Sequence, residues 1–125
     1  MTQQEIRYII EDRFLDIVDE IFEPTAEKVR LALKDKSFID IRVSRLIKNR
    51  FDLHWERSHV DGTIYRYDNF PDIKFKKLKN FPFHFHYGKE DKVIDTKFRK
   101  KLPEALIDFL EFVREKLSGY EGYEK

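Results

Sequence analysis

The chain contains no cysteine, which excludes disulfides and thiol catalysis. It also lacks a charge of one sign: 25 basic residues stand against 24 acidic ones, so no global field draws it to nucleic acid or to a membrane. Any such binding needs a local patch. No apolar run approaches the roughly 20 residues that span a bilayer. The amino-terminal stretch MTQQEIRYIIEDR is charged and amphipathic and does not read as a secretory signal, so a cytoplasmic protein is the expectation. Glycine occurs only four times, and no glycine-rich phosphate loop, dinucleotide fingerprint or serine-nucleophile motif is present. What the chain has instead is phenylalanine, 12 copies against one methionine. Those rings bury large apolar areas with few rotatable bonds and should dominate the core. The length suits one domain, expected over residues 1–118, with GYEGYEK at 119–125 as a flexible tail.

Hydropathy periodicity predicts an α+β fold: an antiparallel sheet meander with a helix at each end, both packed on one face. Thr2 and Glu5 have capping-box spacing, and Ile6, Ile9, Ile10, Phe14, Ile17, Val18 and Ile21 recur at helical intervals. The expected first helix therefore runs to Glu23, where Pro24 restricts the residue before it. From Lys28 the period becomes two. Val29, Leu31 and Leu33, then Ile39, Ile41 and Val43, alternate with polar residues across the turn 34–37. Residues 25–34 also tolerate a helix, but a strand from Val29 is the favoured reading. In the next hairpin a three-residue loop, Val60-Asp61-Gly62, sets Glu56 opposite Arg66 and His54 opposite Asp68. Leu53, Trp55, Tyr65 and Tyr67 then share a dry face, and His54, Glu56, Arg66 and Asp68 the other. Residues 74–79 read as a basic loop or short irregular strand. In FPFHFHYG, Phe83, Phe85 and Tyr87 join the dry face and His84 and His86 the open one. A final helix is expected from Pro103, with Leu106, Phe109, Leu110, Val113 and Leu117 as its stripe and Gly119 as its terminator.

The open face carries the chemistry. Histidine titrates near neutrality, and all four histidines lie between residues 54 and 86. His84 and His86, two apart on a strand, point the same way about 7 Å apart. That spacing suits an acid and a base beside a phosphodiester. Arg66 offers a fixed fork of donors for an anionic transition state, and Glu56 and Asp68 can orient an imidazole or the guanidinium. These are the parts of metal-independent RNA cleavage, with His84, His86, Arg66, Glu56 and Asp68 as catalytic candidates. His54, Asn69, Phe70, Lys74 and Lys76 are the substrate-binding candidates: Phe70 for stacking on a base, the lysines for phosphate. No metal and no cofactor is expected. Three other readings stand beside this one. Glu56–Arg66 and His54–Asp68 can be plain cross-strand ion pairs. His84 and His86, with His54 or a carboxylate, can be ligands of a metal-dependent hydrolase. The polar face can also be a non-catalytic module that binds protein or nucleic acid.

The segments DGTIYRYDNFP at 61–71 and FPFHFH at 81–86, with a preceding strand bearing Glu56 and a helix at each end, resemble the TumE-like family of prokaryotic toxin–antitoxin toxins. Arg66, Asp68, Asn69, Pro71, Pro82, His84 and His86 match the family pattern, whereas Asp72 and Phe83 stand where the family often carries further histidines. The resemblance implies a cognate antitoxin of the helix-turn-helix type and growth inhibition through attack on RNA. No membrane partner is expected, and a homodimer is left open. The order of elements also looks like that of ribonuclease toxins of the RelE and barnase type, which is analogy of fold and assigns no chemistry.

Overall fold

The computed structural model describes residues 1–123. Helix α1 (Gln3–Arg13) is followed by seven strands: β1 (Val18–Thr25), β2 (Lys28–Leu33), β3 (Phe38–Val43), β4 (Phe51–Arg57), β5 (Thr63–Asp68), β6 (His84–Gly88) and β7 (Val93–Ile94). Helix α2 (Glu104–Tyr123) closes the chain. The strands pair in sequence order, each antiparallel to the next, so the sheet is a meander of seven strands. The expected α+β architecture is therefore the observed one.

One face of the sheet is dry because the apolar residues alternate. Val29, Leu31, Leu33, Ile39, Ile41, Leu53, Trp55, Tyr65, Tyr67 and Phe85 form one buried cluster with Ile6 and Ile10 of α1 and with Leu106, Phe109, Leu110 and Val113 of α2. Both helices thus cover the same face. Phenylalanine organises the centre: the Phe112 ring meets Trp55, Tyr65 and Phe85 edge-on at 6.4, 5.4 and 5.3 Å. Arg114 ties the helices together, bonding Asp16 at 2.8 Å and the Arg13 carbonyl.

Helix α1 starts as expected, with Thr2 and Glu5 in a reciprocal capping box. It stops ten residues early, at Arg13 rather than Glu23. Ile17, Val18 and Ile21 follow a turn, and the last two lie in β1, paired to Leu33 and Leu31. The physical reason is a β-bulge. The register shifts between Val18 and Glu20, so two residues three apart can turn toward the same face. That spacing imitates a helical stripe. A second irregularity lies between Phe22 and Thr25, and Asp19, Glu20 and Glu23 of this edge strand are exposed.

The β4–β5 connection also differs from expectation. It spans Ser58 to Gly62 rather than three residues, and Arg57 pairs with Thr63. The Arg57 carbonyl accepts the N–H groups of Val60, Asp61 and Gly62, while Asp61 holds Thr63 by its N–H and hydroxyl. Gly62 takes the left-handed conformation expected of it, at φ 80°. The pairing slips by two residues, so His54 faces Arg66, Glu56 faces Ile64, and Asp52 faces Asp68. A slip of two preserves the side-chain alternation, and the two faces keep their expected members.

Residues 73–75 form a single 3-10 turn capped by the Asp72 carboxylate, not a strand. The polar stretch after Gly88 contains the short strand β7. In α2 the expected stripe is buried from Leu106 to Val113, with Leu117 packed against the core. Gly119 does not end the helix, which continues to Tyr123. The tail expected over 119–125 falls in part on residues 124 and 125, outside the described residues.

Candidate functional site

On the open face, β5 and β6 set Arg66 opposite His86 and Asp68 opposite His84. These four side chains form the base of a cleft of about 820 Å³, walled by the 44–50 loop, the 70–75 segment and the 90–93 turn. His84, His86 and Asp68 are buried, and Arg66 is partly exposed. The imidazole rings lie closer than strand spacing alone suggests, with centroids 5.1 Å apart and planes at 72°.

Hydrogen bonds assign each imidazole a distinct state. His84 turns Nδ1 to the Pro82 carbonyl at 3.0 Å and Nε2 to Asp68 Oδ1 at 3.1 Å. Both partners are acceptors, so both ring nitrogens donate. Burial pushes the His84 pKa down, but Asp68 and the Pro82 carbonyl outweigh it and hold it above the ordinary histidine value. His86 turns Nδ1 to the Glu90 carbonyl at 2.7 Å, while Nε2 faces a donor, Arg66 Nη2, at 3.1 Å. Its Nε2 therefore carries a lone pair. Burial lowers the His86 pKa, and the neighbouring guanidinium lowers it further against the pull of the Glu90 carbonyl.

Arg66 makes three more hydrogen bonds, to two residues. Its Nε donates to Asp68 Oδ2 at 3.2 Å, and its two terminal nitrogens hold the Glu90 carboxylate, one at 3.1 Å. Burial raises the Asp68 pKa, yet His84, the Phe70 N–H and Arg66 together keep it below the usual carboxylate range. Asp52, opposite Asp68 across β4–β5, moves the other way: burial and the Asp68 charge both push it up. Phe75 covers the imidazoles, its ring 4.6 Å from that of His84 and 5.8 Å from that of His86.

The remaining candidates scatter. Glu56 does not pair with Arg66. It accepts the Ser58 hydroxyl, takes His54 Nε2 at 3.1 Å and accepts the Ser58 N–H at 2.9 Å, and these bonds overcome the upward push of burial to bring its pKa to about 2. Neither His54 nor Glu56 lines the cleft. Phe70 and Lys74 do, Phe70 beneath the Arg50 guanidinium at 5.0 Å and Lys74 beside Asp72 at 3.7 Å. Lys76 is exposed and outside the lining. Asn69 turns inward. Its Oδ1 accepts the Phe51 N–H at 3.0 Å, and its Nδ2 donates to the Asn49 carbonyl at 2.5 Å. Asn69→Ala strands both backbone groups and is expected to cost about 1–3 kcal/mol, read as a lower urea midpoint.

A protein-family model, Toxin TumE, matches residues 5–117, which covers both helices' core-facing turns and every strand. The chain belongs to the TumE toxin family. It is thus the toxin component of a toxin–antitoxin system, and the family implies a cognate antitoxin as partner. No curated protein and no solved structure matches the chain. Among the described residues no helix is long and apolar enough to cross a membrane.

Asp52, Phe75 and Glu90, which also line the cleft, are not among the sequence-based candidates. Asp52 shares the parity of His54, so the correct hairpin register would have revealed it. Phe75 and Glu90 come from a 3-10 turn and a tight turn after β6, where no periodicity points.

Proposed function

We propose that this toxin is an endoribonuclease that needs no metal for cleavage, works in the cytoplasm, and is restrained by a neighbour-encoded antitoxin of the helix-turn-helix type. The observation that carries the reading is the opposite proton inventory of the two imidazoles at the base of one cleft. His86 presents a lone pair at Nε2, and His84 presents a proton there. An arginine lies within hydrogen-bond reach of one of them and of the aspartate that orients the other.

In the proposed reaction the scissile phosphate draws the Arg66 guanidinium away from Glu90, whose side chain is 58% exposed and free to turn to water. Arg66 leaves His86 for the phosphate, which frees the Nε2 lone pair. His86 takes the proton of the ribose 2′-hydroxyl, and that oxygen attacks phosphorus. The bond from phosphorus to the leaving oxygen breaks, and the leaving oxygen takes the His84 proton. The products are a cyclic phosphate on one fragment and a free 5′-hydroxyl on the other. Before that transfer Asp68 holds the Nε2 proton of His84, and it gives this proton up to the leaving oxygen while the Pro82 carbonyl keeps Nδ1; Phe70, Arg50 and Lys74 hold the flanking nucleotides by stacking and charge. Glu56 orients His54 at the flank, so Glu56→Gln is expected to change the cleavage rate by no more than a few-fold.

The test is RNA cleavage by purified protein in chelator, with analysis of the fragment ends. Cyclic-phosphate ends and growth arrest on expression without antitoxin support the reading. A protein that arrests growth while RNA stays intact, yet captures the neighbour-encoded partner, supports the alternative of a non-catalytic binding module and rejects the nuclease.

A further inference from the structure

We propose that Asp68, His84 and His86 form a binding site for one zinc-like divalent transition-metal ion. One ligand atom from each of the three residues lies within 4.8 Å of the others. His84 Nε2 and Asp68 Oδ1 are already 3.1 Å apart, about the separation of two ligands on one ion at bonds of about 2.0–2.2 Å. The burial that makes these residues poor surface groups makes them a shielded ligand set.

The surroundings are those of a metal centre. Each imidazole donates Nδ1–H to a backbone carbonyl, His84 to Pro82 and His86 to Glu90. Such bonds fix the ring and turn Nε2 to the ion. The carboxylate has its own supports, accepting the Phe70 N–H at 2.9 Å and Arg66 Nε at 3.2 Å. Phe75 gives the rings an apolar cover. Six carboxylates line the cleft against four lysine and arginine side chains, which offsets the repulsion between the Arg66 guanidinium and an ion. Two imidazoles and one carboxylate suit zinc and its transition-metal neighbours better than magnesium or calcium. Three protein ligands leave a fourth position open to the cleft.

Binding has a defined local consequence. The ion takes the Nε2 lone pair of His86, so the Arg66 Nη2 bond at 3.1 Å breaks, and the guanidinium stays on Glu90. It also displaces the Nε2 proton of His84. The site stands independently of the RNA reading. Its effect on cleavage rests on that reading: an ion there occupies both proton-transfer nitrogens and stops the reaction.

The experiment titrates chelator-stripped full-length protein with zinc alone, in competition with a chromogenic chelator. One ion per chain is expected. The double variant His84→Asn/His86→Asn should bind at least about tenfold more weakly, and His59→Ala, whose ring bonds the Lys36 carbonyl away from the cleft, should bind as the parent does. No stoichiometric uptake, or equal affinity in the double variant, overturns the site. Should the double variant fail to fold, the ring-nitrogen NMR shifts of the parent answer the same question. Nε2 of His84 and His86 must move on zinc addition, and unmoved signals overturn the proposal. RNA cleavage measured alongside separates the two readings. Cleavage abolished by one equivalent of zinc supports both. Zinc uptake with unaffected or zinc-dependent cleavage keeps the site and overturns the metal-free mechanism.

Discussion

His84→Ala and Arg66→Ala are each expected to slow RNA cleavage by two or more powers of ten, the scale at which a positioned acid or a preorganised cation contributes. In the proposed reaction the two changes remove different parts. Without His84 the leaving oxygen has no proton donor. Without Arg66 the developing charge on phosphorus has no fixed partner. Arg66→Lys should rescue little, because an ammonium cannot reproduce the fork that spans Asp68, Glu90 and His86. Both side chains leave the face opposite the apolar core, so neither change opens a cavity in it. His84→Ala does remove one partner of the buried Asp68, which keeps Arg66 and the Phe70 N–H, a change that costs about 1–3 kcal/mol. Rates should therefore be compared at a temperature where circular dichroism shows each variant folded, and His84→Gln serves as the milder substitute. The measurement is the single-turnover rate on a defined RNA in chelator. Parental rates in both folded variants reject the assignment.

Trp55→Ala is expected to remove about 3–5 kcal/mol of stability, the cost of deleting a large buried aromatic. Native domains hold only about 5–15 kcal/mol, so the variant should sit at the margin of folding. Trp55 is 1% exposed at the centre of β4. Its ring lies 5.3 Å from that of Tyr65, meets Phe112 of α2 edge-on, and carries the Arg57 guanidinium at 4.6 Å. Its indole N–H donates to Ser37 Oγ at 2.9 Å, which couples β4 to the turn before β3. Trp55→Phe loses that bond but keeps most of the ring packing, so it should cost less than half as much. Urea denaturation followed by circular dichroism reads both, since the substitution removes the only tryptophan fluorophore. A loss under about 1 kcal/mol for Trp55→Ala would mean that α2 does not pack on β4 as described.

Which side chains share the open face was legible because strand alternation has a period of two, although His54 and Glu56 on that face lie outside the cleft. The hairpin register slipped by two residues, yet Arg66 and Asp68 kept their face, and the pairing of β5 with β6 brought them to His86 and His84. What the slip concealed was who faces whom: Asp52 rather than His54 lies across from Asp68. The first helix is shorter than its apolar spacing implies for a related reason. Val18 and Ile21 sit at a spacing that a helix and a bulged strand can both turn inward, and only the partner strand decides between them. The roles of the imidazoles were not legible at all. They depend on two main-chain carbonyls, at Pro82 and Glu90, which carry no sequence signature.

A meander that never closes on itself leaves two unpaired rims, and these are where sheets of separate molecules fuse into aggregates. Here β7 is two residues long and offers little to pair with. The outer rim of β1 is longer, but it combines exposed Asp19, Glu20 and Glu23 with Pro24 and two irregularities. Like-charged copies meeting along that rim repel, and the proline withholds a donor. Neutralising Asp19, Glu20 and Glu23 would thus threaten colloidal behaviour before it touched the fold.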